Sequence, residues 1–88
     1  LGSVRPNPFA ASAEITFSLL RSANASLKVY DLAGREVRAL VDGPQPAGDR
    51  RLVWDGRNDS GVKVASGVYF LRLESEGEKL ERKLIRLR

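Results

Sequence analysis

A chain of 88 residues with neither cysteine nor histidine has no raw material for disulfides, thiol nucleophiles, imidazole bases or zinc sites. At this length residues 1–88 form a single domain that buries one modest core, so packing alone must hold it. The formal net charge is +4 and arginine outnumbers lysine, but charges of both signs are interspersed with no long basic run. A well-solvated surface explains that pattern better than a nucleic-acid footprint. No apolar run approaches the length of a membrane span, so membrane insertion is not expected. The absence of methionine, even at position 1, leads us to expect a piece excised from a larger protein, with any export signal elsewhere or embodied in the domain itself.

The segment Leu1 to Ala13 carries two prolines flanking Asn7, and a residue before proline is biased away from helix. An extended arm anchored by Phe9 is predicted. In residues 14–19, Ile15, Phe17 and Leu19 alternate with Glu14, Thr16 and Ser18, the pattern of a half-buried strand. Arg21 to Ala25 reads as a polar turn. Residues 26–32 form the next strand, Leu27 and Val29 inward, Lys28 and Tyr30 outward. Asp31-Leu32-Ala33-Gly34 then reverses the chain, with Gly34 in the left-handed conformation. Glu36 to Val41 returns as a strand through Val37 and Ala39, or through Leu40 if it is bulged. Asp42 to Gly48 reads as a loop, because its prolines cannot donate to a ladder.

The stretch from Leu52 to Glu74 organises the rest. It reads as two strands, Leu52 to Trp54 and Val68 to Leu73, joined by a connection dense in Asp, Asn, Ser and Gly, residues that bend the backbone. Leu52 and Trp54 point inward, and the Trp54 indole N–H needs a buried partner. Val68 to Leu73 is apolar on both faces until Arg72, as in a strand that is covered on both sides or central in its sheet. Ser75-Glu76-Gly77-Glu78 is a hairpin turn. Lys79 to Leu87 is the last strand, with Leu80, Leu84, Ile85 and Leu87 as its apolar contacts, and the change of face at Leu84-Ile85 predicts a β-bulge. No segment has a helical period. The expected fold is all-β: an antiparallel immunoglobulin-like β-sandwich of about seven strands without a disulfide. Tyr69, near the start of the penultimate strand, is either a tyrosine corner bonding back to the backbone or an ordinary core residue.

Several stretches resemble known families. RPNPF, SLKVYDLAGREVRALVDG, PAGDRRLVWDG and ASGVYFLRLESEGEKLERKLIRLR together resemble the C-terminal sorting domains of proteins exported by the bacterial type IX secretion system. WDGRNDSGVKVASGVYFLRLE is also similar to the immunoglobulin-like domain of flagellar hook-capping proteins, whose long connection it shares more closely. Asn7-Pro8-Phe9, Tyr30-Asp31 with Gly34-Arg35, Gly67-Val68-Tyr69 and the basic-apolar terminus from Lys83 through Arg86 to Arg88 carry the sorting resemblance. It implies a non-catalytic domain of a larger exported protein, destined for the cell surface or beyond and recognised by the outer-membrane secretion machinery. The hook-cap likeness implies instead a structural spacer or assembly module that packs on neighbouring domains.

Asp55, Asn58 and Asp59 cluster oxygen ligands suited to calcium, but Ser60 stands where an EF-hand requires glycine, and Asx turns explain them better. No cofactor is expected, and without an imidazole base or a cleft neither is an enzyme. Tyr30 and Phe70, flanked by Lys28 and Arg72, are expected to share an outward face. That face could stack on a sugar or a base, making a carbohydrate-binding module a further alternative, or be covered by another part of the parent protein.

Overall fold

Alternation of apolar and polar residues builds seven strands in the computed structural model, which describes residues 2–87. They are β1 (Val4–Arg5), β2 (Ala13–Leu19), β3 (Ala23–Tyr30), β4 (Glu36–Gln45), β5 (Gly48–Trp54), β6 (Gly67–Ser75) and β7 (Glu78–Arg86). A three-stranded sheet has the order β1-β2-β5 and a four-stranded sheet the order β4-β3-β6-β7, with every paired strand antiparallel. The two inner faces supply the core: Ala13, Ile15 and Phe17 from β2, Leu27 and Val29 from β3, Trp54 from β5, Tyr69, Leu71 and Leu73 from β6, and Leu84 from β7. This is the sandwich the alternation predicts, with β6 central as its two-faced apolar run requires.

Four local expectations need correction. Asp42 to Gly48 is not a loop. β4 continues through Pro44 to Gln45, and only Pro46 and Ala47 intervene before β5. Proline is tolerated there because β4 is the edge of its sheet, so the missing N–H faces no neighbour. β3 begins at Ala23, inside the segment read as a turn, because Ala23 to Ala25 pair with this extension of β4. At its other end β3 stops at Tyr30, short of the expected Leu32, because the Asp31–Arg35 hydrogen bonds already turn the chain. Finally, β7 has no bulge: its register with β6 runs unbroken from Gly67 opposite Arg86 to Ser75 opposite Glu78. The register shifts lie in β4 instead, where Leu27 faces Val41 but Lys28 faces Ala39, leaving Leu40 as the extra residue. Leu40 and Val37 accordingly turn to pack against the core, the bulged alternative of the two.

The N-terminal arm links the two sheets. Val4 and Arg5 pair with β2, whereas Phe9 donates its N–H to the Ile85 carbonyl and accepts from the Leu87 N–H on β7. Phe9 is buried, its ring 5.4 Å from that of Trp54, which lies 5.8 Å from Tyr69 at a steep angle. The Trp54 indole N–H donates to the Arg57 carbonyl at 2.9 Å, so the ring is fully buried without an orphaned donor. Replacing Trp54 with Ala removes the centre of this cluster and should cost about 3–5 kcal/mol, leaving so small a domain at or near unfolding. Phe70, only partly buried on the outer face, should cost far less when replaced by Ala. Urea midpoints of the two variants check the assignment, and a larger loss for Phe70→Ala would exchange inside and outside.

Candidate functional site

The outer face of the four-stranded sheet follows directly from the β3–β6 register. Tyr30 lies opposite Phe70 and Lys28 opposite Arg72, so the two aromatic rings and two cations occupy one surface, as the alternation predicts. Val68 and Ile85 are register partners on the same face and extend its apolar part. The Arg72 guanidinium carbon stands 4.5 Å from the Tyr30 ring centroid, a cation–π contact. Its Nε bonds Glu81 at 2.7 Å, and Glu74 lies 3.9 Å away. Lys28 approaches Glu36 at 3.4 Å and Asp42 at 4.0 Å.

These ion pairs decide the chemistry of the face. The Glu36 hydrogen bond raises the Lys28 pKa, with a smaller push from Asp42, and the Glu81 hydrogen bond does the same for Arg72. Both groups hold their protons, but each positive charge is answered by a carboxylate beside it. The face is therefore an apolar-aromatic surface in which Lys28 and Arg72 are framed by ion pairs.

Most motif residues lie elsewhere and serve the fold. The Asn7 amide donates to the Lys83 carbonyl at 2.9 Å and accepts from the Ile85 N–H at 3.1 Å, taking the place of a neighbouring strand on β7. Pro8 leads into Phe9, which is 1% exposed. Asp31 accepts from the backbone of Ala33 and Arg35, and Arg35 Nε meets its carboxylate at 3.1 Å. Those bonds, the Arg35 backbone N–H first, hold the Asp31 pKa below its ordinary 3.8. Gly34, at φ +82°, makes the reversal at the position where a side chain would be strained. Gly67 opens β6 opposite Arg86. Tyr69 is both a core residue and a tyrosine corner, since its hydroxyl donates to the Ala65 carbonyl at 2.7 Å. Of this set, Tyr30, Phe70 and Lys83 lie on the outer face of the four-stranded sheet, whereas Asn7, Pro8 and Arg35 are exposed elsewhere. Arg88 lies outside the described residues.

Arg86 departs from the surface position expected of the terminal charges. Arg86 is 9% exposed because it lies on the same side of β7 as Leu84, and among the described residues its Nε has no hydrogen-bond partner. A Cβ on Gly56 would come within 2.9 Å of that Nε, so glycine is required there for space as well as for its φ of +74°. Strict alternation from Leu84 would have placed Arg86 inside; the expected bulge obscured it. Arg38 was also not singled out, yet its guanidinium bonds the carbonyls of Arg57 and Asn58 and the Asp55 carboxylate, tying down the long connection. The oxygens considered for calcium are engaged in the same way: Asp55 and Asn58 accept from backbone N–H groups within the loop, and Asp59 accepts from Ala39 N.

These features define an immunoglobulin-like sandwich whose connections are held by side chain to backbone bonds. The sequence profile of the FlgD Ig-like domain matches residues 5–79, and the chain belongs to that family. Among solved structures, dimeric latent PorU from Porphyromonas gingivalis is similar at 25% identity and a TM-score of 0.72, over 97% of this chain and 9% of that one. PorZ of the same organism, described as an essential bacterial surface component of the type IX secretion system, is similar at 24% identity and a TM-score of 0.67, over 98% of this chain and 11% of that one. FlgD from P. aeruginosa gives 24% identity and a TM-score of 0.64, over 86% of this chain and 67% of that one. The chain thus spans about a tenth of the length of PorU and PorZ. No curated protein matches it at a significant level.

Two measurements check these local roles. Tyr69→Phe keeps the ring and loses one hydrogen bond, so it should cost about 1 kcal/mol by urea unfolding with the fold intact. Because the Asp31 carboxyl is held low in the folded state, the stability it contributes is present above the ordinary carboxylate range and is lost as pH falls through the lower folded value. Asp31→Asn should therefore be less stable at neutral pH and lose less on acidification, which thermal midpoints across that range would reveal.

Proposed function

We propose that this chain is a non-catalytic module of a larger exported protein, and that the type IX outer-membrane machinery recognises it to direct its parent to the cell surface. The observation that carries this reading is the likeness over nearly the whole chain to single modules of PorU and PorZ, the latter a surface component of that system. The outer face centred on Tyr30 and Phe70, with Lys83 at its margin, is the surface offered for recognition; Asn7, Phe9, Asp31, Gly34, Arg35, Tyr69 and Arg86 shape the fold that presents it. Residues 1–88 fused to a reporter should reach the surface of a type IX-competent bacterium. Tyr30→Ser with Phe70→Ser should leave the fusion folded but reduce surface display several-fold. Periplasmic retention of the unaltered, folded fusion would overturn the sorting role.

A structural spacer or assembly role has its own support in the match to the FlgD Ig-like domain and in the ordered connection between Trp54 and Gly67. In that role the same outer face packs on a neighbouring domain of the parent, and the reporter fusion is retained.

A further inference from the structure

We infer that a second copy of this chain pairs with the free part of β7, edge to edge, in one register centred on Leu80. β7 is the outer strand of its sheet, and the N-terminal arm covers only its C-terminal half, through Asn7 and Phe9. The groups the arm engages belong to Lys83, Ile85 and Leu87, so by the alternation of an antiparallel ladder the N–H and C=O groups of Glu81 and Lys79 face the same open side. The sequence there is Glu78-Lys79-Leu80-Glu81-Arg82. Leu80 is 51% exposed and rims a cleft in which Leu19, Leu20 and Leu73 lie beside Ser75 and Glu78; Leu20 is wholly exposed.

Charged edges ordinarily prevent strand pairing, but this edge forbids some registers and permits one. Antiparallel pairing centred on Glu81 sets Glu81 against itself and Lys79 against Lys83. Centred on Lys79, it opposes two lysines. Centred on Leu80, it sets Lys79 opposite Glu81 of the second copy and Glu78 opposite Arg82, both of opposite charge. The backbone agrees: Lys79 and Glu81, the residues whose polar groups face outward, become the hydrogen-bonded pair, and the two Leu80 side chains meet at the close, non-hydrogen-bonded centre. Glu81 keeps its bond to Arg72 of its own chain, so the outer-face network continues across the junction. The two-fold axis through Leu80 consumes both free edges, and the contact closes as a dimer rather than propagating. This pairing does not depend on the proposed sorting role.

Sedimentation equilibrium of the 88-residue chain over a wide concentration range tests it, with Trp54 fluorescence as the control for folding. The unaltered chain should form a dimer by high micromolar to millimolar concentration. Lys79→Glu opposes like charges twice per dimer and should weaken association by about tenfold or more. Adding Glu81→Lys to that variant reverses both members of the pair and should restore the dimer, although the Arg72 bond is lost. A strictly monomeric unaltered chain would overturn the proposal, as would a dimer indifferent to Lys79→Glu or a double variant no better than the single one.

Discussion

The contact on which the rest of this sandwich depends is the burial of the Trp54 indole between Phe9 and Tyr69. The three rings come from the N-terminal arm, from the end of β5 and from the start of β6, segments far apart in sequence and divided between the two sheets. A cluster drawn from both sheets stabilises only the packed arrangement, because neither sheet alone brings the rings together. The same tryptophan reaches Arg57 at the start of the long connection, and Tyr69 reaches Ala65 near its end. A connection rich in flexible residues is thereby anchored at both ends by the core, and Arg38 reinforces its start through the carbonyls of Arg57 and Asn58.

Much of this was legible in the sequence. Period-two alternation in Ile15-Thr16-Phe17 and Leu27-Lys28-Val29 assigns sides correctly, and Tyr30 beside Phe70 on the outer face follows from it. The signal fails where a tertiary neighbour overrides local chemistry. Pro44 argues against a strand unless that strand is known to be an edge, and edge position is a property of the whole sheet. The run Leu84-Ile85-Arg86-Leu87 has apolar residues in both phases, which suggests a bulge and hides the strict alternation that puts the arginine inside with Leu84. The amide of Asn7 acting as a substitute strand leaves no pattern at all, since it depends on a residue far along the chain.

The candidate site was legible in part for a related reason. Motif residues that identify the family are those the fold needs: Phe9 and Tyr69 for the core, Asp31 with Gly34 and Arg35 for one reversal, Asn7 for an edge. Such positions mark what the chain folds into. The side chains on the outer face, Tyr30, Phe70 and Lys83, are a minority among them, and their neighbours Arg72, Glu81, Lys28 and Glu36 set the character of the surface.

The bridge between Phe9 and Arg86 is parallel, although every other strand pairing in the two sheets is antiparallel. Because the arm and the last strand run in the same direction, tension applied to the chain on either side of the domain pulls them past one another lengthwise. The bonds of Asn7 and Phe9 to β7 lie across that direction and share the load together, whereas a hairpin pulled apart at its open end surrenders its bonds one at a time. Together with the bonds that tie Gly2 and Ser3 to Thr16, this short patch would resist extension of the polypeptide from its ends.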